Sequence, residues 1–135
     1  SKRVFEARGY VRSFLGRRAH LQSRSLSYKA VNRLLQCGNA DMIKWMMVRI
    51  GEETWGQQGF DMLLNIHYAL DFQFVPEQRR LFDRALEIMC DVEGPPFNLL
   101  VPMEIEYEVG KNWGEATYGV EDVIKAFAAY GETYA

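Results

Sequence analysis

Arg12, Arg17 and Arg18 stand close together, and Lys29, Asn32 and Gln36 follow them within one basic stretch. Guanidinium groups grip phosphate through paired hydrogen bonds. Two carboxamides spaced i, i+4 on a helix face the same way and can reach the edges of bases or other polar ligands. On residue type alone two readings stay open: a face built for an anionic polymer, or scattered arginines and amides on a solvated surface. His67 ends an apolar run, where a histidine is either a hydrogen-bonded core residue or a functional group. Glu104, Glu106 and Glu108 alternate along one segment, a pattern that turns carboxylates to water rather than gathering them round a metal. Cys37 and Cys90 lie far apart, with no secretory signal and no Cys/His metal spacing, so they read as reduced thiols in a cytosolic setting. Met42, Met46 and Met47 read as core packing, with Trp45 between them marking a side that faces a partner.

The elements that position these groups follow from periodicity. Gly9 to Gly16 alternates as a strand, and Gln22 to Ser27 reads as a polar loop. From Tyr28 to Ile50 apolar residues recur at helical steps, with Gly51 as the stop. Gly38 inside this helix costs about 1 kcal/mol against Ala, which suggests close approach of a backbone, a ligand or another helix. Phe60–His67 and Leu70–Val75 form a hairpin turning at Tyr68-Ala69. Pro76 opens a second amphipathic helix that runs to Cys90. Asn98 to Val109 contains a further strand, and Val120 to Tyr130 reads as a last helix whose apolar face either binds another subunit or, the favoured reading, packs on the chain's own core. The order predicts an α+β fold, an antiparallel sheet of a hairpin plus flanking strands packed against long helices.

The chain of 135 residues is 48% hydrophobic and 25% charged, an ordinary globular composition that excludes a disordered tail or a disulfide scaffold. Its apolar runs are too short for a membrane span. The net charge of −2 hides an asymmetry. Residues 1–49 hold eleven Lys or Arg against two acids, and residues 50–135 hold five against sixteen. A uniformly basic protein is excluded; a basic face is not. The chain begins at Ser1, so either an initiator Met has been removed or the sequence starts inside a longer protein.

Five landmarks, in order, carry a resemblance. Gly9-Tyr-Val-Arg-Ser-Phe-Leu-Gly-Arg-Arg18 resembles the "GY-V-x-T-x-x-GRR" segment of family A DNA polymerases, the group of bacterial DNA polymerase I and its phage relatives. Asn32-x-x-x-Gln36-x-x-x-Ala40-Asp41-x-x-Lys44 is similar to the long helix that follows it. Leu63-Leu-Asn-Ile-His67 resembles the strand leading into motif C. Val101-Pro-Met-Glu and Val109-Gly-Lys-Asn-Trp113 resemble the C-terminal strand and the final "VG-x-NW" signature. The resemblance implies that residues 1–114 are the C-terminal palm segment, with 115–135 an additional helical tail. It implies that Arg12, Arg17 and Arg18 lie by the primer–template backbone, and that Asn32 and Gln36 face the minor groove with Lys29 beside them. Where the family often carries an Arg one turn before the Asn, Tyr28 stands here. His67 would sit near the primer 3′ end. Lys111 and Trp113 read as structural residues, with Trp113 filling the core near the strand end.

The family's motif C reads His-Asp-Glu, whereas this chain reads His67-Tyr68-Ala69. Family chemistry uses divalent ions, Mg2+ for the complete enzyme, held by carboxylates. Tyr68 and Ala69 supply none, and Asp71 on the following strand is expected to point elsewhere. The chain alone is therefore expected to bind no metal and to be inactive. Two functions follow from the resemblance. One is the palm part of a DNA-directed DNA polymerase, split or truncated, working in the cytoplasm with a chain that carries fingers, thumb and motif A. The other is a non-catalytic duplex-DNA-binding or regulatory module derived from a polymerase.

Overall fold

The computed structural model describes residues 2–21 and 23–116. Helix α1 (Lys2–Arg8) leads through Gly9 into strand β1 (Tyr10–Arg12), which pairs antiparallel with β2 (Arg18–His20). The turn between them is closed by the Ser13 N–H donating to the Arg17 carbonyl at 2.9 Å, with Gly16 at a φ of 83°. Val11 and Ala19 are the buried residues of the two strands, so the other strand face carries Tyr10, Arg12, Arg18 and His20. A 3-10 turn (Arg24–Lys29), capped by the Ser23 hydroxyl, runs directly into α2 (Ala30–Thr54). Phe5, Val11, Ala19, Ala30 and Cys37 make the core of this region, with Leu21 and Leu34 packed at its edge. Phe5 is 1% exposed and anchors the short α1, which no periodicity in seven residues could announce.

Helix α2 continues into a second packing region. Its Met42, Ile43, Met46 and Ile50 are buried, as core packing requires, and it packs against α3 (Arg79–Cys90). Trp45 is half-buried within the chain: it meets the Phe97 ring edge-on at 5.2 Å and lies under the Arg49 guanidinium at 4.9 Å. Gly51 does not stop α2. The Thr54 hydroxyl donates to the Ile50 carbonyl at 2.8 Å and the Trp55 N–H to that of Gly51, so the helix ends one turn later. Gly38 makes room not for a backbone or a helix but for a side chain, since a Cβ there would stand 2.5 Å from the Phe14 ring of the β1–β2 turn.

Strands β3 (Phe60–Ile66) and β4 (Ala69–Phe74) form the second hairpin, with a bulge between Met62 and Leu64. Phe72 and Phe74 meet Phe82 of α3 at ring distances of 6.4 and 4.8 Å. The turn is at His67-Tyr68, one residue before the expected place, because His67 adopts a φ of 58° and Ala69 already pairs with Ile66. Pro76 opens a 3-10 turn (Pro76–Gln78) that passes straight into α3. The molecule is thus α+β, with two separate two-stranded antiparallel sheets among the described residues.

The expected strand at Asn98–Val109 is not formed as a ladder. Along its alternating part only Val109 makes a β bridge, although Met103, Ile105 and Tyr107 are half-buried and the glutamates between them exposed. The described residues divide into two compact units, one ending at Met103 and one beginning at Glu104. In the second unit Asn112 caps a tight turn, accepting from the Glu115 N–H at 3.1 Å. Gly110 is required there, because a Cβ would collide with the Glu115 carbonyl. Trp113 fills no core: it is 71% exposed. The tail helix expected at Val120–Tyr130 lies outside the described residues.

Candidate nucleic-acid interface

The antiparallel pairing of β1 with β2 puts Arg12 opposite Arg18 and Tyr10 opposite His20, and side chains at paired positions share a face. The guanidiniums of Arg18 and Arg12 lie 4.9 and 6.0 Å from the centre of the Tyr10 ring, and the His20 ring is 5.6 Å from it on the other side of the pair. His20 also lines an open groove of about 300 Å³ together with Lys29, Asn32, Arg33 and Gln36, over a floor of Leu21 and Leu26. Asn32 and Gln36 are both exposed, one turn apart, and the helical period brings them to this one groove as expected. Lys29 stands at the N-terminal end of α2 with its ammonium 5.6 Å from the Tyr28 ring. His20 and Arg33 join the site without having been singled out; their signal was only their place in the basic stretch.

Arg17 is placed differently from its neighbour. Its Nη2 donates to the Cys37 carbonyl at 3.0 Å and pairs with Asp41 at 2.6 Å, so it ties the hairpin turn to α2. Asp41 is only 7% exposed, and its second oxygen has no hydrogen-bond partner among the described residues. The pair neutralises the charge of Arg17, while no carboxylate among the described residues pairs with Arg12 or Arg18.

His67 belongs to neither group. It sits at the tip of the β3–β4 hairpin, exposed, with its ring 3.9 Å from that of Tyr68. The residues present do not fit a catalytic metal. Tyr68 and Ala69 offer no carboxylate at the tip, and no cluster of three or more His, Cys, Asp or Glu among the described residues could hold an ion. Asp71 lies opposite Leu64 on β4, half-buried, with one oxygen unpartnered among the described residues.

A larger open cleft, about 780 Å³, lies between the end of α2 and α3. Its charges largely satisfy each other: Arg84 pairs with Glu53 at 2.6 Å and with Glu87 at 2.9 Å, and Arg79 with Asp83 at 2.7 Å. The hydrogen bond from Arg84 holds the Glu53 carboxyl below its ordinary value, and the same bond, with that to Glu87, holds the guanidinium proton more tightly than usual. Both cysteines are free thiols, Cys37 buried and Cys90 exposed. No helix among the described residues is long and apolar enough to cross a membrane.

Comparison with known proteins bears on the family of the chain. Residues 1–115 match the family described as DNA polymerase family A. The chain is 33% identical over 124 residues to DNA polymerase DpoZ of Vibrio phage phiVC8, covering 91% of this chain and 18% of that protein. It is 34% identical over 118 residues to the thermostable DNA polymerase I of Thermus filiformis, covering 81% and 14%. With DNA polymerase I of Mycobacterium bovis the identity is 29% over 120 residues, covering 82% and 13%. The chain therefore spans less than a fifth of the length of these curated relatives. Sequence landmarks, α+β architecture and family match together place this chain in DNA polymerase family A.

Proposed function

We propose that this chain is the C-terminal palm part of a DNA-directed DNA polymerase and contributes the surface that holds primer–template duplex. The observation that carries this reading is the groove in which Asn32 and Gln36 stand one turn apart beside Lys29 and His20. Amide side chains that donate and accept are suited to the acceptor-rich minor groove, and the flanking cations suit the two phosphate backbones. Arg12 and Arg18 extend the cationic surface along the hairpin, with Arg17 behind them as their support.

The working protein includes a separate part with fingers, thumb and motif A, in the cytoplasm of a bacterial or phage-infected cell. Two features support a partner at β3–β4. Both outer edges of this two-stranded sheet are open among the described residues, and Leu63, Leu64 and Ile66 are exposed on it. Mg2+ belongs to that complete assembly, and this chain's motif C positions supply no ligand to it.

Duplex binding followed by fluorescence anisotropy tests the reading. Asn32→Ala with Gln36→Ala is expected to weaken binding of a primer–template duplex by about tenfold or more, for two groove hydrogen bonds of about 1 kcal/mol each. Equal affinity of the double variant and the unchanged chain would sink the assignment of the groove.

A second reading has its own observation. Tyr68 and Ala69 at the tip favour a polymerase-derived module that binds duplex without catalysis. Primer extension by the chain together with a motif A-bearing partner separates the two.

A further inference from the structure

The arrangement around Tyr10 needs an explanation that duplex binding alone does not give. Arg12 and Arg18 are directly opposed across the β1–β2 pair, an arrangement that repels and that a merely soluble surface has no reason to keep. Neither is relieved by a carboxylate among the described residues; the nearby acid, Asp41, is taken by Arg17. Both guanidiniums instead lie over a single phenol ring, at 4.9 and 6.0 Å, whose negative face offsets part of their mutual repulsion. The inward residues Val11 and Ala19 fix the backbone beneath, and the Arg17 tie and the packing of Phe14 on Gly38 fix the turn on α2. The two cations are therefore held together, on a supported base, with no anion of their own.

We infer that Tyr10 is a positioning residue that holds Arg12 and Arg18 as a two-cation clamp for the phosphodiester backbone of one nucleic-acid strand. The inference rests on the duplex-binding reading of this face and adds a residue and a role to it. Arg12 and Arg18 touch the phosphates; Tyr10 acts through them, by keeping two long, flexible side chains from dispersing before the strand arrives. His20, opposite Tyr10 and also in the Asn32–Gln36 groove, makes the clamp continuous with that groove.

The test is the salt dependence of duplex affinity for the full chain, measured by anisotropy across a range of NaCl. Each phosphate that the protein no longer neutralises lowers the magnitude of the logarithmic slope by about 0.9. Tyr10→Leu is expected to lower affinity by about fivefold and to flatten the slope by the equivalent of up to one phosphate, while Tyr10→Phe keeps the ring and behaves as the unchanged chain. A change confined to stability would leave the slope alone. Arg12→Gln with Arg18→Gln, both solvent-facing, is expected to flatten the slope by the equivalent of about two phosphates and to make a further Tyr10→Leu change silent. A wild-type slope in Tyr10→Leu, or an effect of Tyr10→Leu that persists without the two arginines, would overturn the clamp. Absence of any salt-dependent binding by the unchanged chain would overturn the reading of the whole face, and the clamp with it.

Discussion

The two hairpins of this chain are built to opposite specifications. The β1–β2 hairpin buries Val11 and Ala19 on Phe5, Ala30 and Cys37, is tied to α2 by Arg17, and turns Tyr10, Arg12, Arg18 and His20 to the other strand face, with Phe14 and Leu15 half-exposed in its turn. The β3–β4 hairpin packs Phe72 and Phe74 on Phe82 but leaves Leu63, Leu64 and Ile66 exposed and carries Tyr68 and Ala69 where the family places acids. One is a cationic strand face that stands on its own core. The other is a half-covered element with no carboxylate at its tip. On the proposed function, the contrast separates the surface offered to duplex from the place where metal chemistry would need acids, and this chain carries the supports of the first.

Several substitutions would break or sharpen that contrast. The largest effect is expected at Phe5, the anchor of the first region: Phe5→Ala should cost about 3–5 kcal/mol in chemical denaturation and abolish duplex binding with it. Leu64→Thr on the exposed side of β3 should change the stability of the lone chain by no more than about 0.5 kcal/mol, yet weaken association with a motif A-bearing partner. Equal costs at the two sites would erase the distinction between self-supported and half-covered hairpins.

Gly38→Val should cost about 1–3 kcal/mol, because its side chain would displace the Phe14 ring from α2. Thermal unfolding measures this, and Phe14→Ala should recover much of the loss. Asp41→Ala should destabilise by about 1–2 kcal/mol, the lower part of the range for a charged hydrogen bond, since Arg17 is half-exposed and rehydrates. Duplex salt dependence should be unaltered in that variant if Arg17, expected at the primer–template backbone, acts as a support of the surface through its tie to α2. A steepened slope would instead assign the Arg17 released from Asp41 to the phosphates.

The smallest effect concerns pH at the α2–α3 end. Arg84 lowers the Glu53 carboxyl in the folded chain, so this pair contributes stability above the unfolded glutamate value. The contribution is lost as pH falls through the lower folded value. A carboxyl-resolved NMR titration should show Glu53 titrating below ordinary glutamates, and back among them in Arg84→Gln.

How much of this was legible depended on where periodicity and packing agree. The α2 face showed itself because Met42, Met46 and Ile50 recur at helical steps and are buried in that order. The groove was legible only in part: Asn32 and Gln36 share a face by helical geometry, but His20 reaches it across a strand pairing that three residues of mixed polarity did not announce. Arg17 and Arg18 are adjacent and chemically identical, and alternation alone says they point opposite ways; that one finds Asp41 is a tertiary fact. The hairpin turn was displaced by one residue because His67 accepts a left-handed backbone, which histidine adopts more readily than Tyr68 or Ala69, a preference that the alternation of the two strands does not report. Around Glu104 to Glu108 the alternation correctly gave the exposed side, but alternation reports covering and not pairing, so the strand it suggested has no ladder.

The most direct test of a retained duplex surface without catalytic carboxylates is primer extension. The chain is combined with a polymerase portion carrying fingers, thumb and motif A, and supplied with Mg2+, primer–template and nucleotides. With His67-Tyr68-Ala69 unchanged the expected result is bound duplex and no extension, and extension appears once Tyr68→Asp and Ala69→Glu are introduced together. Extension by the unchanged chain, abolished by Asp71→Asn, would contradict this and give the catalytic carboxylate to β4.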